Sequence, residues 1–432
     1  MKKITIKHIA VVGAGWAGCA AAVEATRAGH QVTIFEAGRT PGGRARRVDV
    51  AHDGQTLALD NGQHILIGAY SKTRQLMADV GVDVPASLHR MPLTLQFPDG
   101  SGLKLPKLIA PFDALIGILR AKGWSWADKL SLLKTATHWQ LRKFQCPPHQ
   151  SVADLCSNAS PRIMATLIEP LCVSALNTPA NRASGQVFLR VLRDSLFAAT
   201  GGSDLLLPRI DLSALLPNAA LAWLTAHGGQ VNLGTRVQKI TPRISNSWQL
   251  DGVANVALGT FDSVILACPP KDAARLVQSS RLPCDAWLAQ TLTLEYEAIA
   301  TVYALAPGCR LTEPMLALAS TPDHPAQFVF DRGQLNGPAG LLAFVISASQ
   351  QDSTELTGQV AGQARNQLGI NNLHILQTVV EKRATFACTP GLQRPPQRVA
   401  PGLSACGDYV DGPYPATLEG AVRSGLTAAK AI

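Results

Sequence analysis

The sequence predicts an α/β protein in which a Rossmann-type parallel sheet is interleaved with a second, α+β unit. Two observations carry that prediction. Near the start, the apolar run Ile9-Ala10-Val11-Val12 leads straight into Gly13-Ala14-Gly15-Trp16-Ala17-Gly18. Near the end, Leu403-Ser404-Ala405-Cys406 runs into Gly407-Asp408, and Tyr414-Pro415-Ala416-Thr417 opens a terminal helix. Both ends therefore read as strand, turn and helix, and the long stretch between them has room to build a separate unit. At 432 residues the chain suits two or three domains and a core that needs no disulfide or metal staple.

The first element is a strand of the fully buried parallel type, four apolar residues in a row. Ala20 to Arg27 reads as the helix after it, Gly29 stops that helix, and Gln31 to Phe35 is a second strand ending at Glu36. In such a βαβ unit each glycine has a mechanical task. Gly13 allows the tight turn, Gly15 lets a pyrophosphate approach the backbone, and Gly18 lets the helix pack closely on the strand. The helix N-terminus holds phosphates, and Glu36 stands where a carboxylate accepts hydrogen bonds from ribose hydroxyls and repels a 2′-phosphate. The unit reads as a dinucleotide site that excludes NADP.

Composition narrows the class. With 47% apolar and 16% charged residues the chain is too apolar for a disordered tail, yet no uncharged apolar run is long enough to span a bilayer. Lys2, Lys3 and Lys7 before Ile9 to Val23 imitate a secretory leader, but Glu24 and Arg27 continue the helix without a cleavage region. Nine scattered cysteines with no C-x-x-C pair argue against a disulfide framework, a zinc site or an iron–sulfur site, and suit small buried hydrophobes in a reducing cytoplasm. No metal is expected. The net charge is +9, and the stretch Lys104 to Lys143 holds eight basic residues against two acidic ones. Nothing near that excess reads as a nucleic-acid recognition motif.

Pro41-Gly42-Gly43-Arg44 follows Glu36 closely, a turn whose amides and guanidinium suit a phosphate. At the far end, Asp408 after a strand suits a sugar-alcohol hydroxyl. The helix beginning beyond Thr417 points its positive end at whatever lies ahead of it. Half a charge ~4 Å from the negative edge of a reduced flavin, at an effective dielectric near 20, is worth ~2 kcal/mol. The two ends together favour FAD over NAD. The bland alternative, a capped surface helix, leaves Gly407-Asp408 unrelated to the N-terminal unit.

These segments resemble the FAD-dependent amine oxidase and carotenoid desaturase superfamily. Four further stretches resemble, within it, the hydroxysqualene dehydroxylases: Asp60-Asn61-Gly62-Gln63-His64, Phe328-Val329-Phe330-Asp331-Arg332, Glu381-Lys382-Arg383-Ala384-Thr385-Phe386 and the run Thr417 to Gly425. Cys406 departs from the pattern, where similar proteins more often carry Ala. The resemblance implies a Rossmann-type FAD-binding domain interleaved with an α+β substrate domain, amine oxidase or phytoene desaturase-like. On that reading residues 1–85, 201–270 and 398–432 form the FAD-binding domain. Residues 86–200 form the helical half of the substrate domain and residues 271–397 its sheet, with strands at Leu292 to Tyr303, Gln327 to Phe330, Leu341 to Ser347 and Val379 to Phe386. FAD would meet Gly13, Gly15, Trp16, Ala17, Gly18, Glu36, Gly43, Arg44, Gly407, Asp408, Ala416, Thr417 and Leu418, with the backbone near Val237 at the adenine.

The implied reaction replaces the allylic hydroxyl of a C30 isoprenoid alcohol, hydroxysqualene, by hydride from reduced FAD. Hydroxide leaves poorly, so an acid is needed. His64 is the first candidate, because imidazole titrates near neutral pH. Tyr414 and Asp331, with its neighbour Arg332, are weaker ones. No Ser-His-Asp or metal-ligand spacing competes with them. A C30 chain at ~0.8 kcal/mol per carbon avoids water by roughly 24 kcal/mol, so the substrate lives in a bilayer. Residues 106–143, basic and carrying Trp124 and Trp126, are the expected contact with an anionic membrane surface, unless their apolar face packs inward. The expected setting is cytoplasmic, peripheral at the inner membrane, among companion enzymes of squalene synthesis. Two alternatives stay open: a carotenoid-precursor desaturase or amine oxidase, and a non-catalytic isoprenoid carrier.

Overall fold

The computed structural model describes residues 5–109, 111–197, 200–244 and 247–432. Its central sheet runs in the order Gln230–Asn232, Gln31–Phe35, His8–Val12, Ser263–Leu266, Leu403–Ala405, Arg398–Ala400. All neighbours are parallel except the last pair. Strands far apart in sequence thus lie side by side, Val11 pairing with both Ile34 and Ile265, and Ile265 with Ser404. The N-terminal helix Trp16–Arg27 buries a face of alanines against this sheet, and the C-terminal helix Leu418–Lys430 crosses it. Glycine sets their spacing. A Cβ at Gly425 would stand 2.1 Å from the Ala17 carbonyl oxygen, so the two ends of the chain touch backbone to backbone.

The second unit is built on an antiparallel sheet in the order Met315–Ala317, Phe328–Asp331, Leu341–Ser349, Tyr296–Leu305, His374–Phe386. Its helical half includes Trp126–Leu141 and Gly185–Leu192. Two elements pair across the boundaries expected from the sequence. The helix Pro270–Ser280 stays with the small sheet Lys239–Pro242, Trp248–Asp251, Ala257–Phe261, because Ser279 accepts from the Ile240 amide at 3.1 Å. Leu88–Met91, expected in the helical half, pairs instead with Leu205–Pro208, which also holds Leu66–Ile67. Hydrogen bonds between distant segments outweigh the local pattern at both places.

Residues 106–143 correct one expectation. Trp124 is an internal side chain, 7% exposed, its indole donating to Thr166 Oγ1 at 3.0 Å, whereas Trp126 is 68% exposed. Two residues apart, they lie on opposite sides of Ser125, which begins the helix Trp126–Leu141 with a reciprocal cap to Asp128. The preceding helix, Phe112–Arg120, is inverted. Asp113 and Gly117 face inward, Gly117 tight against Leu105, while Phe112, Leu115 and Leu119 face out. Among the described residues no helix is long and apolar enough to cross a membrane, and no group of His, Cys, Asp and Glu is arranged to hold a metal ion. All nine cysteines are free thiols, six of them buried.

Candidate active site

The Gly-rich turn is held from three sides. Gly13 takes φ +114°, and a Cβ there would meet the Ala267 carbonyl at 2.6 Å; one at Gly18 would lie 1.9 Å from Gly13 O. The Glu36 carboxylate accepts from the Ala14 amide at 2.8 Å and the Gly38 amide at 2.7 Å, fixing it at the end of its strand. Gly42 N–H donates to Ala14 O at 2.8 Å, and the Trp16 indole donates to Ala45 O at 3.0 Å. Gly15 and Gly43 thereby face each other: a Cβ on Gly43 would lie 3.4 Å from Gly15 Cα. Side chains at either position would fill that gap. No side chain caps the helix that starts there, so its first amides point into the same space.

The C-terminal segment closes the cradle. Arg44 donates to Asp408 Oδ1 at 2.5 Å and to Ala384 O at 2.6 Å, joining the start of the chain, its end and the second unit. Burial alone would lower the basicity of Arg44, but the adjacent Asp408, with Glu381 behind it, raises it instead. Gly407 N–H reaches Ser424 Oγ on the C-terminal helix at 3.1 Å. Ala416, in the left-handed region at φ +57°, donates its amide to Asp408 O at 3.2 Å. Thr417 caps the helix through the Gly420 amide at 2.9 Å, and Leu418 is its first residue. Val237 is buried beyond the strand Gln230–Asn232, its carbonyl facing Arg275.

The segment 60–64 is a hub. Asn61 donates to Arg44 O at 3.2 Å and to Glu381 Oε2 at 3.0 Å. Gln63 Oε1 accepts from buried Arg332 at 3.3 Å, and Arg332 lies 3.9 Å from the Asp60 carboxylate. Burial lifts the Asp60 carboxyl to about 6, against the Leu212 amide at 2.8 Å and the charge of Arg332. Tyr303 donates to Asp60 O at 2.9 Å. His64 Nδ1 meets Gly62 O at 2.7 Å; a carbonyl only accepts, so Nδ1 carries the proton and Nε2 is the open nitrogen. Burial first, then the charge of Arg44, hold this imidazole below its ordinary pKa, and the Gly62 bond only partly offsets them.

The other two candidate acids have different surroundings. Tyr414 donates to Asp194 Oδ2 at 2.9 Å, and burial with that carboxylate raises its pKa. Asp331 is buried with its carboxylate accepting from Leu311 N–H at 3.0 Å and Gln334 at 2.8 Å, a loop brace, while its neighbour Arg332 turns to the hub. Asp60, Asn61, Gln63 and Glu381 were given no task in the sequence. The available signal was their place in the stretches 60–64 and 381–386 that carry the resemblance.

A model of the flavin-containing amine oxidoreductases matches residues 16–432. The chain belongs to that family. Among curated relatives it is similar to hydroxysqualene dehydroxylases, 31% identical to that of Rhodopseudomonas palustris over 98% of this chain and 97% of the relative. The Zymomonas mobilis hydroxysqualene dehydroxylase is 28% identical, covering 99% of this chain and 98% of that one. Solved structures with the same fold include an oxidoreductase from Methanosarcina mazei, TM-score 0.73 at 17% identity, covering 98% of this chain and all of that one. Cyclohexylamine oxidase from Brevibacterium oxydans has TM-score 0.71 at 15% identity, covering 99% and 98%. As a member of the flavin-containing amine oxidoreductases the chain is an FAD-dependent oxidoreductase. The cradle fits FAD: the facing glycines and uncapped helix suit a pyrophosphate, Glu36 a ribose, and Asp408 the sugar-alcohol chain.

Proposed function

We propose that this protein removes the hydroxyl of hydroxysqualene reductively, giving squalene, and that the residues assigned above hold its FAD. The observation that carries the reading is the hub at residues 60–64, where Asn61 ties Glu381 of the second unit to Arg44, the partner of Asp408, and Gln63 holds Arg332. It sets a titratable imidazole beside the cofactor cradle. Bound reduced FAD supplies the hydride that replaces the departing hydroxyl. His64 Nε2, once protonated, gives the leaving oxygen its proton, and the Gly62 carbonyl keeps the ring oriented while it does so. Arg44 makes that proton easier to release. Tyr414 and Asp331 then serve as braces rather than acids. Residues 1–85, 201–270 and 398–432 supply the cofactor domain, extended at two boundaries, by the strand Leu88–Met91 and by the helix Pro270–Ser280.

The test is anaerobic. Dithionite-reduced enzyme mixed with hydroxysqualene regains its oxidised flavin spectrum, and mass spectrometry finds squalene. Reduced flavin that persists, or oxidised flavin bleached by a saturated or amine substrate, sinks the reading in favour of a desaturase or amine oxidase.

The finer setting is a membrane surface, with companion enzymes of squalene synthesis delivering the hydroxylated chain. Phe112, Leu115 and Leu119 occupy one face of their helix and lie outward with Ile109 and Trp126, among Lys107, Arg120, Lys122 and Lys134. A water-facing helix would bury those three and expose Asp113. Sedimentation with anionic vesicles, lost when all three become Ser, is the expected result; equal binding by the variant overturns it.

A further inference from the structure

Among the described residues, seven buried side-chain polar atoms have no hydrogen-bond partner, and one of them, the Tyr409 hydroxyl, follows directly on Gly407-Asp408. Tyrosine hydroxyls that are buried ordinarily find a partner, because an unmatched one forfeits its hydration with nothing in return. Tyr409 is 2% exposed. Its ring presses on the Gly407 backbone so closely that a Cβ there would come within 2.8 Å of it, which fixes the ring's direction. Cys268, Cys406, Asp408 and Tyr296 are the ionisable groups that act on it most strongly. Cys406 and Asp408 flank Gly407 in the chain. Cys268 follows Ala267, which touches Gly13, and lies within reach of Glu36; Tyr296 lies within reach of Arg44 and Asp408. Three of these four, Cys268, Asp408 and Tyr296, therefore stand at the walls of one site.

We infer that the Tyr409 hydroxyl donates a hydrogen bond to bound FAD. Burial keeps it protonated far above the working pH, so it acts as a donor, and the nucleotide's phosphate, ribityl and ring oxygens offer acceptors. The thiols around it are weak acceptors and compete poorly. The inference rests on the FAD assignment and adds a side chain that neither glycine spacing nor the Gly-Asp turn points to.

The experiment uses the holoenzyme and Tyr409→Phe, which keeps the ring. FAD release on dilution, followed by flavin fluorescence, gives the dissociation constant, and thermal melts are run with and without added FAD. A neutral hydrogen bond is worth about three- to tenfold in affinity, so the variant should hold FAD that much more weakly. Its flavin-free form should melt no lower than the wild-type flavin-free form, since the lost hydroxyl had no protein partner. Affinity within twofold of wild type overturns the inference. So does a lower flavin-free melting temperature, which assigns the hydroxyl to a protein or buried-water partner. Wild-type protein that carries no flavin at all would instead overturn the FAD assignment, a separate failure.

Discussion

The cofactor cradle and the helix Phe112–Arg120 apply the same packing rule with opposite polarity. In the cradle, glycines let backbones touch and most polar groups have a named partner, down to Glu36 on two amides. In the helix, glycine and aspartate face the protein while phenylalanine and leucine face away. The contrast teaches that steric fit decides what goes inside: Gly117 fits against Leu105 where a leucine has no room.

The comparison breaks first, and by the largest margin, at His64. His64→Gln should lower single-turnover dehydroxylation ~10²–10⁴-fold with FAD still bound. In the wild type the rate should fall as pH rises through a value below the ordinary imidazole pKa, since burial and Arg44 oppose the proton. An unchanged pH profile in the variant removes His64 as the acid.

Next come the two tryptophans. Trp124→Ala should cost ~3–5 kcal/mol in urea unfolding, and Trp126→Ala within ~0.5 kcal/mol. Vesicle binding should respond the other way, weakened by Trp126→Ala and unaffected by Trp124→Ala under conditions where it is folded. If both behave alike, the inside and outside of this segment are not what the contrast requires.

A smaller effect belongs to Asp60. Its folded pKa, lifted to about 6, exceeds the unfolded value near 4, so only the unfolded chain loses the proton between them. Stability from this group is present below ~pH 4 and is lost, by up to ~3 kcal/mol, as pH rises through 6. Urea unfolding of wild type minus Asp60→Asn across that window reads it; a flat difference refutes the buried-acid assignment.

Smallest is Arg44→Ala. With the guanidinium about a third exposed, water screens part of its pairing, and FAD should bind ~tenfold more weakly. Equilibrium dialysis of FAD decides it, and an unchanged affinity would mean that the Arg44–Asp408 pair is spent on the protein alone.

Much of the cradle was legible in the sequence because its constraints are local. Gly18 and Gly407 are glycines for steric reasons that act within a few residues, Gly13 sits at a positive φ in the same turn, and the strands around them are short unbroken apolar runs. The hub was less legible. Asn61 and Glu381, or Gln63 and Arg332, meet across more than two hundred residues, and no spacing in one sequence announces such a pair. Trp124 and Trp126 differ only by the side of a helix cap on which they fall. Composition across the whole segment cannot resolve that. The helix Pro270–Ser280 was parted from its sheet because its tie, Ser279 to Ile240, is a side-chain bond invisible to periodicity.

The close crossing of Ala17 and Gly425 sets an order of events during synthesis. The opening strands and their helix emerge from the ribosome early, yet the side of that helix at Ala17 and Ala20 finds its partner only when Leu418–Lys430 follows. Until then the nascent chain holds an unfinished socket and a sticky flank.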